Sequence, residues 1–422
     1  MKLKKMECLI TFTSIVLINT YAFGAGYQVS EHSGTGLGRA FAGEAAIADN
    51  ASVLGNNPAA ITKFDNKMIS SSFTAIMPSI DVYDSTINQT ANNVAPNAYI
   101  PTAYYINPIN NKLTFGLALL SNYGVSTDYP IEFSAGLVAG ETSLSTYNIN
   151  PNIAYKLSEE WSLGAGLSVV YSTAKLNRYW GGDVTPEKLV INMNGSNYSW
   201  GWNVGALYEV NDNNRFGFSY HSQVDVNLEG NFTDYTGTIT GADNIGKAVS
   251  GELPMILPAI AEFSGFHQFD ATNWALHYSL QWTQFSKLDE LRATSELCNA
   301  DTSIKGICFY KDENYQDTYR FAIGTTYQLD PNIMLRAGLA YDQHAGEPTV
   351  SIPDSDRYWY SAGTTYLYSD NLSFDLGIAY IQSSKIEFKE EVNSSNNSEE
   401  NSHKFTSTGN AIIISAQINY SF

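Results

Sequence analysis

Charge is scarce in this sequence, and what there is runs mostly one way. Charged residues make up 15% of the 422, against roughly 25% in an average soluble protein, and 23 Lys and Arg face 42 Asp and Glu. The net charge of −19 excludes a surface that tracks nucleic-acid phosphates, which would have to be basic. Cysteine is nearly absent. Of three residues, Cys8 sits in the first apolar stretch, and Cys298 and Cys308 alone do not make a four-ligand zinc centre. Beyond residue 24 no apolar run approaches the roughly 20 residues of a membrane helix. The glycines at 34, 36, 38 and 43 miss the G-x-G-x-x-G spacing, and no strand precedes them, so a phosphate cradle is excluded too.

What is abundant is aromatic and small. Tyr (28), Phe (20) and Trp (7) accompany 32 Gly, a profile that favours β structure. Lys2, Lys4 and Lys5 precede an apolar run from Cys8 to about Phe23, and "AFG" supplies small residues before Ala25. Residues 1–24 therefore read as a signal peptide. Its removal takes three Lys and one Glu, moving the net charge from −19 to −21. In the exported chain, Cys298 and Cys308 are expected to form a disulfide.

Strict alternation recurs down the chain. In "AIIISAQINYSF" the residues Ile412, Ile414, Ala416, Ile418, Tyr420 and Phe422 form one row, and Ala411, Ile413, Ser415, Gln417, Asn419 and Ser421 the other. A strand sends the two rows to opposite faces. The same pattern fills "WSLGAGLSVVYSTAKL", "RFGFSYHSQVDVNLEG", "NWALHYSLQW" and "TYRFAIGTTYQL". Short turns at "NPINNK", "LSEE", "NDNNR", "FDATN", "LDPN" and "YSDN" alternate with longer loops near 83–96, 123–142, 177–196, 230–257, 286–315, 343–356 and 388–404. Six turns and seven loops join fourteen strands, and an even count with long loops on one side describes an all-β, 14-stranded antiparallel transmembrane β-barrel of the bacterial outer membrane. Its oily row meets lipid, and closure of the sheet satisfies the backbone.

Residues 25–66 precede the first strand and break the pattern. "EAAIADNAS" reads as a short helix, and in "NNPAA" Asn57 can cap a helix with Pro58 in its first position. This segment, with "SGTGLGRAFAGEAAIADNAS" and Asn57-Pro58-Ala59, resembles the N-terminal hatch of the FadL family of long-chain fatty acid channels. The likeness continues through "SNYGVSTDY", "GWNVGALYEV", "WALHYSLQWTQFSKL", "DTYRFAIGTTYQLDPN" and "SIPDSDRYWYSAGTTY".

The resemblance implies a hatch (plug) of residues 25–66 inside the lumen of a barrel formed by 67–422. It implies passive, ligand-gated uptake of long-chain fatty acids, with Arg178 and Lys311 binding the ligand carboxylate. Tyr27, Asn57, Pro58 and Ala59 would gate the hatch. Ser121, Asn122, Tyr123 and Gly124 would form a lateral opening toward the membrane, and Phe422 would be read by the barrel assembly machinery. Other readings of these residues remain open. Each cation can equally be a loop-base residue paired with a carboxylate, and Gly124 can simply mark a strand end rather than a break. No cofactor, metal or nucleic acid is expected, and the surroundings would be outer-membrane lipid and lipopolysaccharide around a monomer. Related channels for aromatic hydrocarbons, a general porin and an adhesin are the alternatives. His277 and Ser279 share one strand face but have no third partner in sequence, so catalysis is not expected.

Overall fold

The computed structural model describes residues 26–182, 188–299, 306–392 and 401–422. The expected signal peptide lies outside them. A side-chain pattern of period two cannot keep one face in oil on a helix of period 3.6, so these segments settle as strands. Among the described residues, one sheet holds twenty-one strand segments. Six strands are interrupted once, and a short segment, Gln89–Ala91, decorates the first loop. That leaves fourteen strands in the wall. They are β1 (Met68–Asp84), β2 (Ala98–Pro108), β3 (Leu113–Leu120 and Gly124–Asp128), β4 (Glu141–Lys156), β5 (Trp161–Tyr179), β6 (Leu189–Asn211) and β7 (Asn214–His221 and Val224–Asp234). Then follow β8 (Ala248–Leu257 and Ile260–Gln268), β9 (Trp274–Thr283 and Glu290–Thr294), β10 (Ile307–Asp312 and Thr318–Asp330), β11 (Ile333–Asp342), β12 (Arg357–Ser369), β13 (Leu372–Ser383 and Ile386–Glu391) and β14 (Ser402–Ser421). β1 closes antiparallel on β14 from Met68↔Ser421 to Asp84↔Phe405, so the barrel has no free edge.

The two rows of the last strand separate as the alternation dictates. Ile412, Ile414, Ile418, Tyr420 and Phe422 are exposed on the outer face, while Ser415, Gln417 and Asn419 are buried in the lumen. Aromatic pairs such as Trp161–Tyr208 and Trp274–Tyr327, at 4.6 and 4.5 Å between ring centres, stand beside the short turns. They fit the girdle where a barrel leaves the hydrocarbon.

Two sequence expectations need correction. Residues 177–196 and 230–257 are mostly strand rather than loop, and β6 alone runs 23 residues. Their Gly and Asn look like turn residues, but Gly195, Gly230 and Gly251 sit directly opposite one another across β6, β7 and β8. There the backbone ladder alone extends the wall. The stretch "EAAIADNAS" is not a helix. Gly43 and Ala48 take left-handed φ of 83° and 45°, and the carbonyls of Ala45, Ala46 and Ile47 are given to Asn57 and Arg215 instead of to a helical turn.

Residues 26–64 form no named strand and lie inside the barrel, nearly all buried. Three capped turns shape them: Gly34–Leu37 behind Ser33, Ala51–Gly55 behind Asn50, and Pro58–Lys63 behind Asn57. Each cap side chain takes a backbone N–H that the turn leaves free. The segment lies so close to the wall that strand glycines are required. A Cβ at Gly164 would stand 2.5 Å from Pro58 and Ala59 backbone, and one at Gly363 would stand 2.7 Å from Gly38. Gly205, Gly217, Gly338 and Gly377 meet Asn57, Ala45, Arg39 and Gly34 in the same way.

Candidate ligand site and gate

The site begins where β3 breaks. Leu120 pairs with Asn148 and Gly124 with Ser145, so both halves of β3 stay on β4 with a one-residue slip across Ser121–Tyr123. On the other side β2 follows β3 only as far as Ala103↔Leu119. Ala98–Thr102 of β2 therefore has no ladder partner on β3, which leaves a seam in the wall. Gly124 thus starts a new half-strand, and the break reading holds over the strand-end reading.

The hatch fills this seam from inside. Gln28 forms a β-bridge with Tyr123, through Val29 N–H donating to Asn122 O and Gly124 N–H donating to Tyr27 O, both at 2.8 Å. His32 Nε2 lies 3.1 Å from Ser121 O. The His32 carbonyl accepts from Thr102 Oγ1, Tyr104 OH and Ser72 Oγ at 3.0, 3.0 and 3.3 Å. One short peptide thereby supplies backbone partners to the break and accepts from hydroxyls of β1 and β2.

Across the lumen β8 and β9 also part. They pair from Gln268↔Ala275 to Ile260↔Thr283 and then only at Glu252↔Thr294. Tyr27 OH donates to Ile256 O at 2.7 Å, and Tyr123 OH donates to Pro258 O. Inward bulges at 284–289 and 313–317 bring Phe285 and Tyr315 to Tyr27, with ring centres 5.2 and 6.3 Å away. Tyr27, Tyr123, Phe285 and Tyr315 form an aromatic partition across the barrel.

On the loop side of the partition lies a narrow apolar cavity of about 100 Å³. Val125, Leu144, Leu176, Met193, Leu228, Phe232, Leu253, Met255, Leu288 and Phe309 line it, and Tyr27 is part of its floor. On the hatch side a second, smaller cavity is bounded by the polar residues His32, Glu44, His221, Glu262, Gln281 and Arg320. Burial pushes the Glu31 carboxyl up to about 7, and one of its oxygens has no hydrogen-bond partner. Burial likewise pushes His32 down to about 4. Arg39 is held by Glu44 and Asp49 at 2.8 and 2.9 Å, and Arg320 by Asp342 at 2.7 Å.

The two expected carboxylate ligands stand near the cavity rather than on its apolar lining. Arg178 is buried, and its partners among the described residues are neutral oxygens: Thr142 Oγ1, Glu141 O and Asn177 O at 2.9–3.1 Å. Thr142 in turn lines the cavity. Lys311 is already paired, with Nζ 3.2 Å from Glu313, 2.9 Å from Thr349 Oγ1 and 2.7 Å from Ser351 Oγ. Arg178, Lys311, Glu313 and Glu390 interact as one electrostatic group. The carboxylate-paired reading therefore describes Lys311, while Arg178 hydrogen-bonds to neutral oxygens and feels Glu390 and Glu313 only at longer range.

Asn57, Pro58 and Ala59 do not join the aromatic partition. They pack on Gly164 and Gly205 of β5 and β6, where Asn57 Nδ2 donates to Ala45 O and Ala206 O at 2.6 and 3.0 Å. Cys298 and Cys308 are disulfide-bonded with Cα atoms 5.1 Å apart. His277 bonds to Thr326 and Ser279 to Glu262, so the two do not face each other as a nucleophile and base. Sequence reasoning missed Glu313, Phe285, Tyr315 and the wall glycines. The glycines carried a signal, since they fall in small-residue inward rows, as Gly164 does between Ser162 and Ser168 and Gly363 between Ser361 and Thr365.

A closed barrel, an internal plug and an apolar cavity behind a wall seam define a plugged outer-membrane channel. Comparison with known proteins agrees. The family described as outer membrane protein transport protein (OMPP1/FadL/TodX) matches residues 15–422, and the chain belongs to it. The long-chain fatty acid transport protein of Escherichia coli O6:H1 is 36% identical over 449 residues, 97% of each chain. Outer membrane protein P1 of Haemophilus influenzae is 35% identical over 474 residues, the whole of both. Among solved structures, a Pseudomonas aeruginosa FadL homologue superposes with a TM-score of 0.81 at 22% identity, covering 94% of this chain and all of that one. The Pseudomonas putida toluene transporter TodX superposes at 0.70 and 16% identity, covering 96% and 99%. The chain is a protein of the bacterial outer membrane.

Proposed function

We propose that this chain takes up long-chain fatty acids passively through the outer membrane and releases them sideways through the β2–β3 seam. The observation that carries this is the pairing of an apolar loop-side cavity with a gate residue, Tyr27, that is both cavity floor and seam filler. A tail of about fifteen methylenes gains roughly 12 kcal/mol gross on burial at about 0.8 each. A charge-assisted hydrogen bond to the head adds only about 1.5–3 kcal/mol. The tail supplies affinity, and Arg178 with Lys311 sets orientation.

The ligand enters from the loop side, rests on Tyr27, and draws the Tyr27–His32 peptide away from Ser121–Gly124. Asn57–Ala59 acts in this scheme as the far anchor of the moving segment. Opening requires the ligand to bind the shifted hatch more tightly than the closed one. The buried Arg178 and partly buried Lys311 favour a carboxylate ligand over the toluene named for TodX. No chemical step is part of the scheme. Phe422, exposed at the end of β14, is the residue offered to the assembly machinery.

Expression in a Gram-negative strain unable to import oleate tests the function. Restored growth on oleate and uptake of radiolabelled oleate are expected. Uptake of toluene with none of oleate would replace the ligand assignment.

A further inference from the structure

Glu313 is a buried carboxylate with an unusual position. Its side chain is 1% exposed and faces Lys311, which donates to one of its oxygens at 3.5 Å, while the nearer oxygen, at 3.2 Å, makes no hydrogen bond. It opens the inward bulge 313–317 of β10. Glu313 N–H and Asn314 N–H both donate to Asp289 O, at 2.8 and 3.2 Å, and Asn314 takes a left-handed φ of 47°. That conformation is uncommon for a residue with a Cβ and is kept where surrounding contacts impose it. The next residue is Tyr315, whose ring packs on Tyr27 and Phe285 and whose buried hydroxyl also lacks a partner among the described residues. A carboxylate in an ion pair and an aromatic of the gate partition are thus two residues apart on one constrained turn.

We propose that Glu313 is the built-in occupant of the carboxylate site. In the empty channel it holds Lys311, and a fatty-acid carboxylate binds by displacing it. The inference rests on the reading of Arg178 and Lys311 as head-group ligands. Exchange of one carboxylate for another keeps a negative partner beside the partly buried Lys311 ammonium. Glu313 and Tyr315 share one turn, so a shift of that turn that draws the carboxylate from Lys311 also moves Tyr315 against Tyr27. An uncharged ligand of equal length fills the cavity and leaves the pair intact. Glu313 is therefore a specificity-determining residue, and its release is the link between head-group binding and the gate.

The full chain in detergent, with direct binding of radiolabelled palmitate and of 1-hexadecanol, tests this. Glu313→Gln keeps the shape and removes the competing charge. Palmitate is expected to bind about tenfold tighter than to the parent, with hexadecanol changed less than twofold. Glu313→Asp, which draws the carboxylate back without removing it, is expected to give a smaller gain in the same direction and serves if the Gln variant does not fold. Equal or weaker palmitate binding in both variants would overturn the proposal and make Glu313 a residue that merely positions Lys311. A parent protein that shows no preference for palmitate over hexadecanol, with Arg178→Ala changing neither, would instead remove the head-group reading itself.

Discussion

The two halves of this lumen are built by opposite rules. On the hatch side the wall is continuous, glycines let backbone touch backbone, and cations are tied to carboxylates such as Arg39 to Glu44 and Asp49. On the loop side the wall is interrupted and the lining is apolar. Each of the six strand interruptions lies on the loop side of the residue where that strand meets the hatch. The pattern is visible at Gly116 and Ser121 in β3, Gly217 and Ser222 in β7, and Gly377 and Ser384 in β13. The difference teaches where motion is possible. A ladder closed over close-packed glycine holds the body of the plug, while broken ladders above it border Tyr27–His32, the peptide that exchanges partners in the proposed gating.

The comparison breaks most visibly by filling a glycine. Gly205→Leu should cost about 3 kcal/mol or more, or prevent assembly, because overpacking here meets the Pro58 ring and an Asn57 amide pinned by hydrogen bonds to Ala45 O and Ala206 O. Leu228→Ala in the apolar cavity opens a wall that already borders empty space, so a loss nearer 2 kcal/mol is expected. Denaturant titration of folded against unfolded migration reads both.

A smaller effect separates head from tail. Arg178→Ala should weaken palmitate by about 1.5–3 kcal/mol while leaving hexadecanol nearly unchanged. Displacement of a bound fluorescent probe by each ligand measures the pair. Equal losses would mean that Arg178 supports the wall rather than the head group.

The smallest effect is a change of slope with pH in the exchanging peptide. Glu31, raised by burial from 4.5 to about 7, contributes stability in full below pH 4.5 and loses it as pH rises toward 7. His32, lowered by burial from 6.5 to about 4, contributes in full above pH 6.5 and loses it as pH falls toward 4. Between 4.5 and 6.5 the two slopes oppose. Glu31→Gln should therefore leave amide protection of Tyr27–His32 falling as pH drops below 6.5. His32→Asn should leave it falling as pH rises from 4.5 to 7. Hydrogen exchange of that peptide, corrected for intrinsic rates, gives the sign.

Much of the wall was legible in the sequence, because period-two rows and Asn/Asp/Pro turns are local signals. The Ile412–Phe422 row alone tells lipid from lumen. Strand length was less legible, since Gly195, Gly230 and Gly251 look like turn residues and pair through backbone alone. The helix read into "EAAIADNAS" failed because its carbonyls are spent on Asn57 and Arg215, partners far away in sequence. The break at Ser121–Gly124 was legible as a position. That β2 also lets go there, and that Gln28 takes its place, is a register fact that no single segment contains. Lys311 was legible as a cation near the site, but its pairing with Glu313 needed the folded turn at Asn314.

The central claim is that Tyr27–His32 must leave the β3 break for a ligand to pass. Gln28 and Tyr123 face each other as a non-hydrogen-bonded antiparallel pair, a geometry with Cα atoms about 4.5 Å apart and within disulfide reach. Gln28→Cys with Tyr123→Cys should cross-link in the outer membrane, and whole-cell uptake of radiolabelled oleate is the measurement. Uptake should stop in the oxidised cells and return with reductant, while oleate binding to the purified protein persists in both states. Unchanged uptake with the bridge fully formed would contradict the account and move the exit elsewhere in the wall.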